Sequence, residues 1–145
     1  MNAALARLRG RLGAGESGMV TAFVVIFTLA LLVMAGLVFD GGLALAAKVQ
    51  AIDDAQAAAR AGAQAIDIPL YRSTGQVTLD PTEATADAER YLAGAGHHGT
   101  VEVDGEQVTV TVTVSQPTQL LSLAGIGHLT VSGTGTATAE QGANP

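Results

Sequence analysis

Cysteine is absent from the 145 residues. No disulfide and no thiolate metal site can form, and the redox compartment stays open without arguing against export. Aromatic residues make up only 3% of the chain against 48% hydrophobic residues, so alanine, valine and leucine carry the apolar character. A core of such side chains buries less area per residue than an aromatic one. The small domain it builds should be modest in stability or supported by partners. Positive charge is scarce as well, with 7 Lys and Arg against 13 Asp and Glu and a net charge of −6. Arg7, Arg9 and Arg11 stand near the start, and only Lys48, Arg60, Arg72 and Arg90 follow Asp40. All the acids except Glu16 lie from Asp40 onward. Phosphate recognition needs clustered positive charge, which excludes a nucleic-acid binder. No internal repeat is present.

What the chain does have is a long stretch without charge. Residues 17–39 read SGMVTAFVVIFTLALLVMAGLVF. As a helix they would be about 35 Å long, enough for a hydrocarbon core of about 30 Å. The predicted organisation starts with a basic cytoplasmic leader (1–16), whose GAGESG segment from Gly13 to Gly18 is a joint. A transmembrane helix (17–39) follows, then an extracytoplasmic extension of that helix (40–68). The basic end stays inside by the positive-inside bias, and the acidic remainder lies across the membrane. Asp40-Gly41-Gly42 could end the helix or only weaken it. Beyond it, Leu43 to Ile66 reads as one alanine-rich helix. Leu45, Val49, Ile52, Gln56, Ala59, Ala63 and Ile66 form its more apolar stripe.

Residues 69–139 read as a small α+β domain, and 140–145 as a disordered tail. Pro69 ends the first helical region, and a linker with a short strand at Gln76 to Leu79 follows. Asp80-Pro81-Thr82-Glu83 opens a helix, with an N-cap aspartate and a proline at the first helical position. That helix runs to about Leu92. Thr100 to Val103 and Gln107 to Ser115 alternate as strands around Asp104-Gly105. Val108, Val110, Val112 and Val114 face one way, and Thr109, Thr111 and Thr113 the other. Pro117 breaks the run, Thr118 to Leu123 forms a helical turn, and Leu129 to Ala139 is the last strand. The expected fold is α+β: a single membrane helix with an amphipathic extension, then an antiparallel sheet of three or four strands with one or two helices on one face.

Motifs that could carry chemistry have plainer readings. GAGESG and GAGHHG (Gly94 to Gly99) match G-x-G-x-x-G, but neither follows a strand and opens a helix, so both are loop punctuation. His97, His98 and His128 lack converging ligands and read as exposed loop residues, with no metal site. No serine sits in a nucleophile elbow. Asp53-Asp54 and Asp87 with Glu89 read as solvated helix faces rather than an acid–base pair. Asp40 reads as a polar stop in interfacial water, with an assembly contact as the alternative. Ala35 and Gly36 could permit helix pairing through small residues. Ala44-Leu45-Ala46 fits a signal-cleavage rule, but the apolar run is long and the following residues continue as helix.

The order of these elements resembles the TadE/TadG-like proteins of tight-adherence (Flp-type) pilus systems, and most closely their actinobacterial TadG-related form. The carrying segments are Gly18 before the apolar run, Asp40-Gly41-Gly42, AAKVQAIDDAQAAARAGAQAID, VTLDPTEATADAERYLAGAG and the valine–threonine strands. The resemblance implies a single-pass protein of the cytoplasmic membrane, with its N-terminus inside and its domain outside. It implies an accessory or minor pilin-like role in a pilus or related secretion apparatus, and partners among the membrane and other apparatus proteins. A homo-oligomer is compatible with this role. No catalytic residue, cofactor or enzymatic activity is expected. Pilin-like members carry a glutamate five residues after the glycine of their processing site. Counted from Met19 after Gly18, that place is Phe23, which cannot pair with a neighbouring subunit's N-terminus. The expectation is therefore an uncleaved anchor. The alternatives are an envelope-anchored binding module unrelated to pili, and a secreted domain cleaved near Ala46.

Overall fold

A computed structural model describes the backbone of residues 2–139 and the side chains of residues 18–139. The predicted tail, 140–145, lies outside the described residues, as do the side chains of the leader. The fold is α+β: one long helix with an apolar N-terminal half, then a three-stranded antiparallel sheet with helices packed on it.

Helix α1 runs Asn2–Gly62. It passes through the Gly13 to Gly18 segment, expected as a joint, and through Gly41-Gly42. Neither of these last two glycines has a positive φ. Each glycine costs about 1 kcal/mol of helix propensity, too little to stop a helix that propagates from both sides. Among the described residues, α1 holds the one helical stretch long and apolar enough to cross a membrane.

α1 ends at Gly62, before the expected Ile66. A Cβ on Gly62 would lie 2.7 Å from the Ala84 carbonyl oxygen, because a second helix crosses there. The chain then turns back, with Asp67 N–H donating to the Thr78 carbonyl and Asp80 N–H to that of Ala65. The predicted strand at Gln76 to Leu79 is reduced to a single bridge, Ile66 with Leu79. The predicted linker after Pro69 contains helix α2, Ile68–Thr74. Pro69 lies in its first turn, where no N–H is needed. Asp67 caps it by accepting from Leu70 N–H, and Gly75 ends it at φ 74°. Proline here starts a helix that the sequence reading took it to end.

Helix α3, Pro81–Gly94, begins as expected, with Asp80 accepting from the N–H groups of Thr82 and Glu83. Strands β1 (Gly99–Asp104), β2 (Gln107–Pro117) and β3 (His128–Thr138) form a meander in the order β1-β2-β3. A 3-10 turn, Leu121–Ala124, lies between β2 and β3. Val110 pairs with Val101 on one side and Gly135 on the other, and Pro117 pairs with His128.

One sheet face carries Val108, Val110 and Val112, each 0% exposed, beneath α1 and α3. The opposite face carries exposed or half-exposed threonines, with Thr111 and Thr134 hydroxyls 3.2 Å apart. The core holds alanines and valines with Leu79 and Leu92, and no aromatic ring among the described residues.

The face that α1 turns to the domain differs from the predicted stripe. Leu45 and Val49 are 64% and 51% exposed. The buried positions are Gly36, Asp40, Ala44, Ala51, Ala55, Ala58, Ala59 and Gly62, at spacings of three, four and seven. The reason is distance. A Cβ on Gly133 would lie 2.3 Å from Ile52 N, and one on Gly135 2.3 Å from Gln56 N. The helix backbone rests directly on the β3 backbone, so the contact selects the smallest residues rather than the most apolar.

Gly133→Ala and Gly135→Ala should each lower stability by about 1–3 kcal/mol through overpacking. Gly41→Ala meets no atom within 4 Å and should stabilise by about 0.5–1 kcal/mol. Thermal unfolding of the detergent-solubilised chain, followed by circular dichroism, checks both signs.

Candidate functional site

The sequence-predicted positions do not converge. Gly18, Met19 and Phe23 lie at the start of the apolar half of α1. Met19 and Phe23 are exposed, and the Phe23 ring stacks on Phe27 with centroids 5.9 Å apart. Asp40 lies seventeen residues beyond Phe23, about 25 Å along the helix. These residues share one helix and form no common site.

Asp40 is the position the structure builds around. It is 1% exposed, and so does not sit in interfacial water as a solvated stop. Its Oδ1 accepts from Gln119 N–H at 2.8 Å, and its Oδ2 from Leu120 N–H at 3.0 Å and Leu121 N–H at 2.7 Å. Three consecutive backbone donors thus converge on one carboxylate. They open the 3-10 turn, and the first donors of any helical turn have no partner of their own. Asp40 caps that turn from another element, some eighty residues away in sequence. Burial alone would raise its pKa. The hydrogen bonds from Leu121, Gln119 and Leu120 outweigh burial and hold the carboxyl below its ordinary value.

One helical turn below, Gly36 is buried under the same loop. A Cβ there would lie 3.1 Å from Leu120 Cβ. Of the two small residues read as able to permit helix pairing, Gly36 is therefore taken by the chain's own loop, while Ala35 stays exposed. Leu120 and Leu121 cover Gly36 while their N–H groups hold Asp40. Together they fasten the β2–β3 connection to the end of the apolar helix.

The other predicted groups sit apart from this. His97 is half-buried, with Nδ1 2.8 Å from Asp54 Oδ2. This corrects the reading of both as solvent-facing, because the loop after α3 folds back onto α1. His98 and His128 are exposed, as is Asp53. Asp87 pairs with Arg90 one helical turn away. Among the described residues, no group of three His, Asp or Glu side chains is placed to hold a metal ion. GAGHHG joins the last residue of α3 to the first of β1 through a loop over 95–98, with Gly96 at φ 77°.

Sequence reasoning singled out Asp40 but missed its partners, because backbone donors leave no side-chain signature. The available signal was compositional: QLLSLAGIG is an apolar loop in a domain whose other loops are polar or acidic.

Asp40→Asn should lower the unfolding temperature, because its amide group would face backbone donors with a donor of its own. Asp40→Ala should lower it further. A depressed folded-state pKa gives stability that is present above the unfolded value of about 3.9 and lost as pH falls through the folded one. The gap between wild type and Asp40→Asn should therefore be widest near neutral pH and shrink below about pH 3.9. Unfolding temperatures measured across this range check it; a gap independent of pH would contradict the role given to the ionised carboxylate.

No protein-family model, curated protein or solved structure matches this chain.

Proposed function

We propose that the chain is a membrane-anchored accessory or minor pilin-like component of a tight-adherence pilus or related secretion apparatus, acting by assembly and packing. The observation that carries this reading is the unbroken helix from the apolar segment into the domain, fastened at Asp40. A tether that only retained a domain at the membrane would need no such joint. A component that transmits position from a membrane platform to an external assembly does need one, since its head must hold a fixed attitude to its anchor. The resemblance to TadE/TadG-like proteins points the same way.

Two features support an uncleaved anchor. Phe23 offers no carboxylate to a neighbouring subunit's N-terminus. Cleavage near Ala46 would remove Asp40 and take from Gln119, Leu120 and Leu121 the carboxylate that holds their N–H groups. The open threonine face of the sheet favours a second reading, an envelope-anchored module that binds a polar polymer or protein.

Membrane-extracted protein should have an intact mass that includes residues 1–18, and it should co-isolate with integral-membrane platform proteins after mild crosslinking. Loss of the first 18 residues, together with recovery in fibres, would replace the accessory reading with filament entry. Loss of the first 46 would replace it with secretion.

A further inference from the structure

The β2–β3 loop, residues 118–127, does not stop at Asp40. It descends beside the apolar helix toward its middle. A groove between the two is lined by Leu29, Leu32, Val33 and Gly36 from the helix and by Leu121 and Leu123 from the loop. Leu29 is eleven residues below Asp40, about 16 Å along the axis. If residues 17–39 cross a bilayer, the tip of this loop lies at hydrocarbon depth, not above the surface.

Three further observations fit that depth. The tip is apolar where a soluble loop would be polar: Leu123 is 88% exposed, and Leu120 and Ile126 are also exposed. The loop also pairs most of its own backbone N–H groups, which suits lipid because lipid offers no hydrogen bonds. Asp40 takes the N–H groups of residues 119–121. Thr118 N–H donates to the Gly127 carbonyl, Ile126 N–H to Leu121, Gly125 N–H to Ser122 and Leu123 N–H to Leu120. The Thr118 hydroxyl donates to the Ile126 carbonyl, and the Ser122 hydroxyl to that of Gln119. Finally, no Asp, Glu, Lys or Arg occurs between Glu106 and Glu140. The whole β2–β3 hairpin is free of fixed charge, although the rest of the domain is acidic.

We propose that residues 118–127 are a second membrane contact, an apolar loop seated among the acyl chains of the leaflet around the Asp40 end of the span. This inference rests on reading residues 17–39 as a membrane span. The loop and the span grip that leaflet together, which fixes the depth and the rotation of the domain. Lipid is the occupant the groove calls for, because its helix wall is the span itself and the lipid around the span is continuous with it.

The native chain has no cysteine, so single-cysteine variants place one probe each. Leu123→Cys, Leu32→Cys and Thr134→Cys, each carrying an environment-sensitive fluorophore, are reconstituted as full chains in phosphatidylethanolamine–phosphatidylglycerol vesicles. Quenching is read from nitroxide-labelled lipid and from aqueous iodide. The probe at Leu123 should follow Leu32, with lipid quenching several-fold above that at Thr134 and little iodide quenching. If it follows Thr134 while Leu32 remains lipid-quenched, the loop proposal fails and the span stands. Shielding of Leu123 from both quenchers, with disulfide-linked dimers of Leu123→Cys on oxidation, would assign the groove to a second copy and overturn the proposal. Iodide quenching at Leu32 would overturn the loop and the span together.

Discussion

The structure depends on one carboxylate held by three backbone N–H groups. Asp40 stands where the apolar half of α1 meets the domain, and its partners begin the turn that joins β2 to β3. An ionised group so little exposed is tolerated only when fully hydrogen-bonded, and consecutive N–H groups at the start of a helical turn supply a field that favours negative charge. The need is mutual. Without the carboxylate three donors lose their partner, and without the turn a buried charge does. Neither element keeps its place alone, so the pair fixes the attitude of the sheet to the apolar helix.

That joint would be ineffective if the helix and sheet could slide above it. They are locked by close approach rather than by large side chains. Gly133 and Gly135 bring β3 against the backbone of α1 at Ile52 and Gln56, and Ala51 and Ala55 are fully buried in the contact. Dispersion falls steeply with separation, so a contact between backbones recovers attraction that alanine and glycine cannot supply through side-chain area. This is how a core with no aromatic ring among the described residues holds a helix across two strands. It also leaves Leu45 and Val49 on the outside, where two large apolar residues of the extension are available to something other than this domain.

Much of this was legible in the sequence, wherever the signal is local. The Asp80-Pro81 helix start and the valine–threonine alternation depend on residues a few positions apart, and each forms close to its expected bounds; the charge-free run is helical but lies within a helix that continues past both its ends. The readings that failed depend on distant partners. Choosing a stripe by hydropathy selected Leu45 and Val49, because nothing near them in the chain announces that β3 carries glycines at the contact. Pro69 was read as a terminator because Asp67 was not recognised as the cap of a helix containing it. Asp40 was noticed for its position, but its role depends on main-chain groups at residues 119–121, which no side-chain pattern encodes. Gly36 was read only as a residue that could permit helix pairing, for the same reason.

The long axis of the domain carries a gradient that follows from the register. β3 ascends alongside α1, since Gly133 meets Ile52 and Gly135 meets Gln56. The end of the sheet at Pro117 and His128 therefore lies toward Asp40, and the end at Asp104 and Gln107 lies away from it. Charge follows the same axis. Asp104 and Glu106 sit at the far turn, while the near turn has leucines and no fixed charge. Asp40 and the glycine contact hold this axis at one angle to the apolar helix, so the charged and uncharged ends of the domain keep fixed places relative to it.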